Sequence, residues 1–379
     1  MGQSLLLGRV LLRFGQDREA EVIVGDLSAA TFGPDGALWV ASDELSGGRI
    51  TLSRLSPEAP NVFAQHRQFT LGTYIDLFEG GEDKAEADIE GLDYARGYLW
   101  FTGSHSSKRK KPKGDNPRDD LARLGRVETE ANRFLLGRIP LVDGLPATSG
   151  PHPTDGGERL IAARLAGGEG GNVLMEALRE DPHLGPFLRT AHGEHDGKHA
   201  LAPLASKENG FDIEGLAAFD QRLILGLRGP VLRGWAMLLE IEPELCGDRA
   251  LGLAVIGPGE RRYRKHFVDL GGLGVRELSR DDNDLLILAG PTMALDGAMR
   301  IYRLRDSFAL EDDSLTGKAD GRLTSLFDLP SVPGGDYAEG LVGFQWRDQR
   351  GLMVVYDGPA DARRPARGSV FADVFWLHA

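Results

Sequence analysis

Short apolar runs recur along this chain at an almost constant interval: ALWVA at 37–41, LWFTG at 99–103, IAARL at 161–165, LILGL at 223–227 and LILAG at 286–290. A sixth run, LMVVY at 352–356, arrives four residues late, behind the longer polar turn QWRDQRG at 345–351. Each run is brief, rich in large or β-branched side chains, and bounded by Gly, Asp or Pro, which is the pattern of a buried strand. The polar turns that precede them (GPDG at 33–36, DYARG at 93–97, FDQR at 219–222, RDDND at 280–284) suit hairpins. Nine residues ahead of the runs lies a second signal, DIEGL at 88–92 and again at 212–216, with looser copies VRELS at 275–279 and AEGLV at 338–342. Taking the glutamates Glu90, Glu214, Glu277 and Glu339 as equivalent gives steps of 124, 63 and 62 residues. The 62-residue period extends to Ser28 and His152, so six units account for 372 of the 379 residues.

A repeat of this length means one architecture built from one unit. Each unit is expected to open with a strand, a tight turn and a returning strand. Weaker strands follow at 49–55, 73–78, 237–242, 266–270, 299–304 and 322–329. Four strands per unit and six units predict an all-β, six-bladed β-propeller spanning 1–379 as a single domain. The third unit fits least well: 150–200 is rich in Gly and Pro, and NVLMEALRE at 172–180 reads as a short helix. Ring closure is expected from pairing of EVIVGDL at 21–27 with VFADVFWL at 370–377, and LLLGRVLL at 5–12 can add another strand there.

Composition narrows the class. Hydrophobic content of 41% suffices for a large core, and 51 glycines suit a turn-rich β protein. The single cysteine, Cys246, excludes an internal disulfide and a zinc-finger arrangement. A net charge of −13 disfavours nucleic acid as a general partner, and no apolar stretch approaches a membrane span, so a cytoplasmic location is expected. Oligomeric state is not legible from the sequence.

In a propeller the first strand of each unit lines the central channel and the second returns to the same mouth. That mouth is expected to gather Glu90, Glu214, Glu277 and Glu339, with Asp88 and Asp212 beside them and Ser28 and His152 completing the ring. Asp43, Ser104, His105, Arg164, Arg228, Thr292 and Asp357 end the returning strands there. Two carboxylates ~5 Å apart repel by roughly 3 kcal/mol at an effective dielectric of about 20. Three things can offset this: a divalent cation, with calcium preferred to magnesium because it accepts many oxygen ligands; arginines such as Arg164, Arg228 and Arg276; or protonation of some members. The Glu-Gly step can also be a plain inner-rim turn that repeats because the units do.

FDIEGLAAF and LILGLRGP within 211–230, GVRELSRDDNDLLILAGP at 274–291 and DIEGLDY with LWFTGSHSSKRKK at 88–111 closely resemble an uncharacterised bacterial family known only as a domain of unknown function, with I-E-G-L, G-x-R-x-P and V-R-x-L elements in this order. The resemblance runs from about 25 to 360 and implies kinship of fold without an activity. More distantly, the repeated D-x-E-G-L is similar to the phytase-like esterase propellers and the calcium-dependent lactonase propellers. That similarity implies a metal-holding role for Glu90, Glu214, Glu277 and Glu339, although the asparagine ligands usual in the lactonases are not evident.

Two functions follow as expectations. The first is a metal-dependent hydrolase of an ester, lactone or phosphoester, with His105 moving a proton and Arg228 steadying an anionic small-molecule substrate. The basic stretch 104–118, with Lys108, Arg109, Lys110, Lys111, Lys113 and Arg118, would draw that substrate in or would be a solvated loop. The second is a non-catalytic scaffold binding a ligand or protein around a structural acidic ring. The histidines at 192–199 lack the helical periodicity that would make their spacing a zinc site. No nucleophile-elbow, Walker or dinucleotide motif occurs.

Overall fold

A computed structural model describes residues 5–42, 48–78, 87–188, 204–311, 313–330 and 334–377. Asp43 and the histidines of 192–199 lie outside the described residues. The chain is all-β and propeller-like: five inner strands, Leu27–Phe32, Ile89–Ala95, Asp212–Phe219, Gly274–Asp281 and Tyr337–Trp346, surround a common axis. Each packs on the next in chain order, and the last packs on the first. Every inner strand forms a hairpin with the apolar run that follows it.

Five apolar clusters fill the five interfaces between neighbouring sheets. The runs are apolar at successive positions because both faces of each sheet are covered. Leu38 and Val40 pack toward the fifth sheet, while Trp39 and Ala41 pack toward the second. Burial of this kind contributes about 25 cal/mol per Å² of apolar surface, and it is spread evenly around the ring.

The expectation of six equal units fails at the third. Residues 149–151, ahead of His152, form only a three-residue strand paired with Arg159–Ile161, away from the axis. Pro146, Pro151 and Pro153 leave too few N–H donors there for a longer ladder. The apolar run at 161–165 supplies instead Ala163–Leu165, which pairs with Leu136–Val142 as the fourth strand of the second sheet and is flanked on its other side by Ala250–Leu253. Two periods of sequence are therefore spent on one sheet and its insertions. The helix expected near 172–180 is present as Val173–Leu178. The weak strand expected at 73–78 is absent; a 3₁₀ turn, Leu71–Thr73, stands there.

The termini meet through the additional strand expected at 5–12, not through the segment at 21–27. Leu6–Arg13 runs antiparallel to Ser369–Trp376 and touches Val62–Thr70 of the first sheet in parallel. The segment at 21–27 instead forms the helix Arg18–Gly25, capped by Asp17, whose carboxylate accepts from Ala20 N at 2.7 Å. Its apolar residues Ala20, Ile23 and Val24 fall at helical spacing and are buried. No helix among the described residues is long and apolar enough to cross a membrane.

Candidate functional site at the channel mouth

Each inner strand carries an irregularity at one equivalent position, where one residue is bulged out of the pairing with the returning strand. The bulged residues are Ser28, Glu90, Glu214, Arg276 and Glu339. A bulge re-aims one side chain and leaves the rest of the ladder in register. The glycine that follows in three of the strands permits close approach. A Cβ on Gly91 would stand 2.6 Å from Leu216 Cβ, and one on Gly215 would stand 2.7 Å from Leu278 Cγ.

This register corrects the alignment made from the sequence. Arg276, not Glu277, is the equivalent of Glu214, and Glu277 takes the position that is Gly91 and Gly215 in the neighbouring strands. The axial ring therefore contains its own cation. Arg276 Nε lies 2.9 Å from Glu214 Oε2, its Nη1 donates to Glu214 Oε1 at 3.2 Å, and its Nη2 donates to Glu339. Arg228 donates to the same Glu214 Oε1 at 2.7 Å and lies 3.9 Å from Asp212. Arg228 Nε is spent on Thr292 O at 3.2 Å. Asp88 is held by Arg133 at 2.5 Å, which also donates to Ser104 Oγ and Ser106 Oγ. Sequence reasoning missed Arg133, which lies in an insertion with no counterpart in the repeat.

The mouth thus brings together Asp88, Glu90, Asp212, Glu214, Glu339 and Asp357 with Arg133, Arg228 and Arg276. Ser28 closes the ring from the first sheet, its hydroxyl donating to Ile89 O at 2.5 Å. Burial raises Asp212 well above the usual carboxylate range, with Glu214 adding to the rise and Arg228 opposing it. Burial likewise pushes Glu339 up to about 8 against the pull of Arg276, helped by Asp357 and Glu214. Asp357 is raised by burial and relieved in part by Lys207. Among the described residues no three acid, histidine or cysteine side chains are arranged to hold a metal ion. The donor set fits one poorly, because guanidinium groups already occupy the space between the carboxylates.

Glu277 lies below the ring. Its Oε1 accepts from Leu278 N at 2.8 Å and Leu216 N at 3.2 Å. Asp93 does the same on the other side of that strand, accepting from Ala218 N at 2.7 Å and Tyr94 N at 2.8 Å. The channel-facing edges of the innermost strands have unpaired N–H groups, and these two carboxylates satisfy four of them on three neighbouring strands. Burial raises both, Asp93 to about 6.

His105 does not stand open at the mouth. It is 2% exposed, and Nδ1 donates to Gly103 O at 2.8 Å. Nε2 accepts from Asn172 Nδ2 at 2.8 Å, an orientation fixed because Asn172 Oδ1 accepts from Leu174 N and Met175 N. Burial pulls its pKa down to about 4. The imidazole is a neutral, fully bonded strut and has no lone pair left for a substrate. Arg164 is elsewhere, stacked 3.8 Å above the Phe78 ring, and His152 caps a turn by accepting from Asp155 N at 3.0 Å. Half of the six basic residues in the stretch 104–118 are paired: Lys108 with Glu130 at 3.3 Å, Arg109 with Glu208 at 2.8 Å and Lys110 with Glu128 at 2.6 Å.

A family model for proteins of unknown function, DUF3616, matches residues 26–373, and the chain belongs to that family. No curated protein sequence matches the chain. Among solved structures, a glutaminyl cyclase of Myxococcus xanthus is similar at 13% identity over 98% of each chain, with a TM-score of 0.36. The phage phi92 endosialidase is similar at 8% identity, covering 98% of this chain and 69% of that one, with a TM-score of 0.36. The Malassezia sympodialis allergen Mala s 1 is similar at 11% identity over 94% of this chain and 93% of that one, with a TM-score of 0.35. At such scores the likeness carries no argument, and the propeller-like arrangement rests on the sheets themselves.

Proposed function

We propose that this protein is a ligand-binding propeller whose axial mouth receives the cationic end of a small molecule, an amine or a guanidine. The observation that supports this reading is the charge inventory of the mouth. Six carboxylates face three arginines, with Lys207 and Lys111 near Asp357, and three of the acids, Glu90, Glu339 and Asp357, keep some contact with solvent. A cationic group entering there would take the place of the proton that burial favours on Glu339 and would relieve the burial that raises Asp212. An anionic ligand is less suited, because the acids outnumber the arginines there and Lys108, Arg109 and Lys110 are spent on Glu130, Glu208 and Glu128.

The hydrolase reading loses two of its supports. His105 is enclosed as a neutral strut, and Arg276 bridges the carboxylates that a divalent cation would need. The test is thermal unfolding against ethylamine, putrescine and agmatine, with acetate, phosphate, calcium and magnesium in parallel. Amines should raise Tm in a saturable way, and Glu90→Gln combined with Glu339→Gln should abolish the rise. If no amine shifts Tm, or if the anions do, the proposal fails. A calcium shift abolished by the same two substitutions would reinstate the metal-dependent reading.

A further inference from the structure

The inner strands run from the mouth to the opposite face, and a cleft lies at that far end. It has a volume of about 550 Å³ and lies beside the C-terminal ends of the third, fourth and fifth inner strands, where Phe219, Arg280, Asn283, Gly343 and Phe344 line it. Nothing at the mouth uses these residues. The volume falls within the range of small-molecule sites, which span about 300–1,000 Å³.

Its walls have a definite chemistry. Phe219 is stacked on Phe308 with ring centroids 4.3 Å apart and planes 21° from parallel, so one face of the cleft is a braced aromatic surface. Phe344 rests similarly on Phe32 at 6.1 Å. The guanidinium of Arg280 stands 5.8 Å from the Phe219 centroid. Its one hydrogen bond among the described residues is a long one, Nη1 to Ala218 O at 3.5 Å, and it makes no ion pair there. Arg350, on the same wall, is by contrast bound to Asp281 and lies 3.7 Å from Asp282. Arg280 therefore presents a planar set of donors, most of them unspent, next to an aromatic platform, which matches a carboxylate attached to an aromatic ring. Gly343 keeps the cleft open: a Cβ there meets nothing within 4 Å.

We propose that this far-face cleft is a second binding site, for a small aromatic carboxylate whose anionic group sits on Arg280 and whose ring lies between Phe219 and Phe344. The site is independent of the acidic mouth and takes a ligand of opposite charge. The probe is 4-hydroxybenzoate, followed by isothermal titration and ligand-observed NMR on the full chain, with tyramine as the cationic control. Wild type should bind 4-hydroxybenzoate saturably at millimolar or lower concentration, and tyramine should not compete. Arg280→Gln should weaken binding by at least about tenfold, the scale of one lost charge-assisted pair. Gly343→Phe should abolish binding while leaving thermal unfolding in place, since the added ring enters open space. Glu90→Gln should leave it unchanged, which separates this site from the mouth. Absence of saturable binding, equal binding by Arg280→Gln, or displacement by tyramine overturns the proposal.

Discussion

Arg276 occupies on its strand the bulged position that Glu214 occupies on the strand beside it, and the two side chains meet at 2.9 Å across the channel. The cation that compensates the axial acids is thus a member of the same repeated set. Removing it isolates charge in a buried place. Arg276→Met is expected to cost about 3–5 kcal/mol, the usual penalty for breaking a buried pair from one side. Adding Glu214→Gln to that variant should restore part of the loss, because the carboxylate that Arg276 contacts through two nitrogens is then replaced by a neutral amide. Urea denaturation of the two single variants and the double variant measures the coupling, and additive losses would show that the pair is not energetically linked.

Glu277 gives a sharper contrast. Its one bonded oxygen serves two backbone N–H groups, and burial keeps the carboxyl protonated well above the usual range. Glu277→Gln preserves that acceptor and should change stability by less than about 1 kcal/mol. Glu277→Ala leaves both N–H groups unpaired and should cost roughly 2–4 kcal/mol. A large loss for the glutamine variant would mean that the charge itself matters.

Much of this arrangement was legible in the sequence. The hairpin-forming apolar runs and the DIEGL blocks located four of the five inner strands, and Ser28 marked the fifth. Three departures have physical causes. The period was extended across 150–200 on spacing alone, although three prolines close to His152 deny that segment a ladder. Glu277 was matched to Glu214 by residue type, whereas Leu278 and Leu216, 62 apart, place Arg276 in that role. Matching the apolar neighbours first would have found the arginine. Arg133 and Asn172 left no such signal, because they sit in insertions whose lengths follow no period. The closing strand was misassigned because 21–27 is apolar enough for a strand, yet Asp17 caps it as a helix.

The acidity of the mouth predicts a pH response. Glu339 is pushed up to about 8 in the folded protein, against an ordinary value of 4.5. The folded state then binds more protons than the unfolded one between those limits, so this group's contribution is complete below pH 4.5 and is lost as pH rises through 8. Glu339→Gln removes the effect. Its stability relative to wild type should therefore improve steadily from pH 5 to pH 9, as read from urea midpoints at matched ionic strength. A constant difference across that range would place the Glu339 pKa near its ordinary value.

His105 should respond in the opposite sense. Its folded-state pKa of about 4 lies below the ordinary 6.5, so its contribution is fully present above pH 6.5 and is lost as pH falls through 4. The loss can reach about 3 kcal/mol. His105→Gln should flatten that part of the stability profile. Titration of the imidazole by NMR gives an independent check, and an inflection near 6.5 would contradict the enclosed, neutral state.

Asn172 holds the second ring nitrogen of that neutral imidazole. One amide caps the helix Val173–Leu178 through Oδ1, while its Nδ2 donates to both His105 Nε2 and Phe134 O at 2.8 and 2.7 Å. Asn172→Ala removes the cap, worth about 1 kcal/mol, and leaves two buried acceptors unsatisfied, so a total loss near 3 kcal/mol is expected. Asn172→Asp separates the two roles. The carboxylate keeps the cap but has no proton to give, and it places a negative charge against His105 Nε2. The imidazole is then stabilised as a cation, and its pKa should rise from about 4 toward or beyond its ordinary value. Imidazole NMR of Asn172→Asp measures that shift directly, and an unmoved titration would show that the side chain at 172 does not contact His105 Nε2.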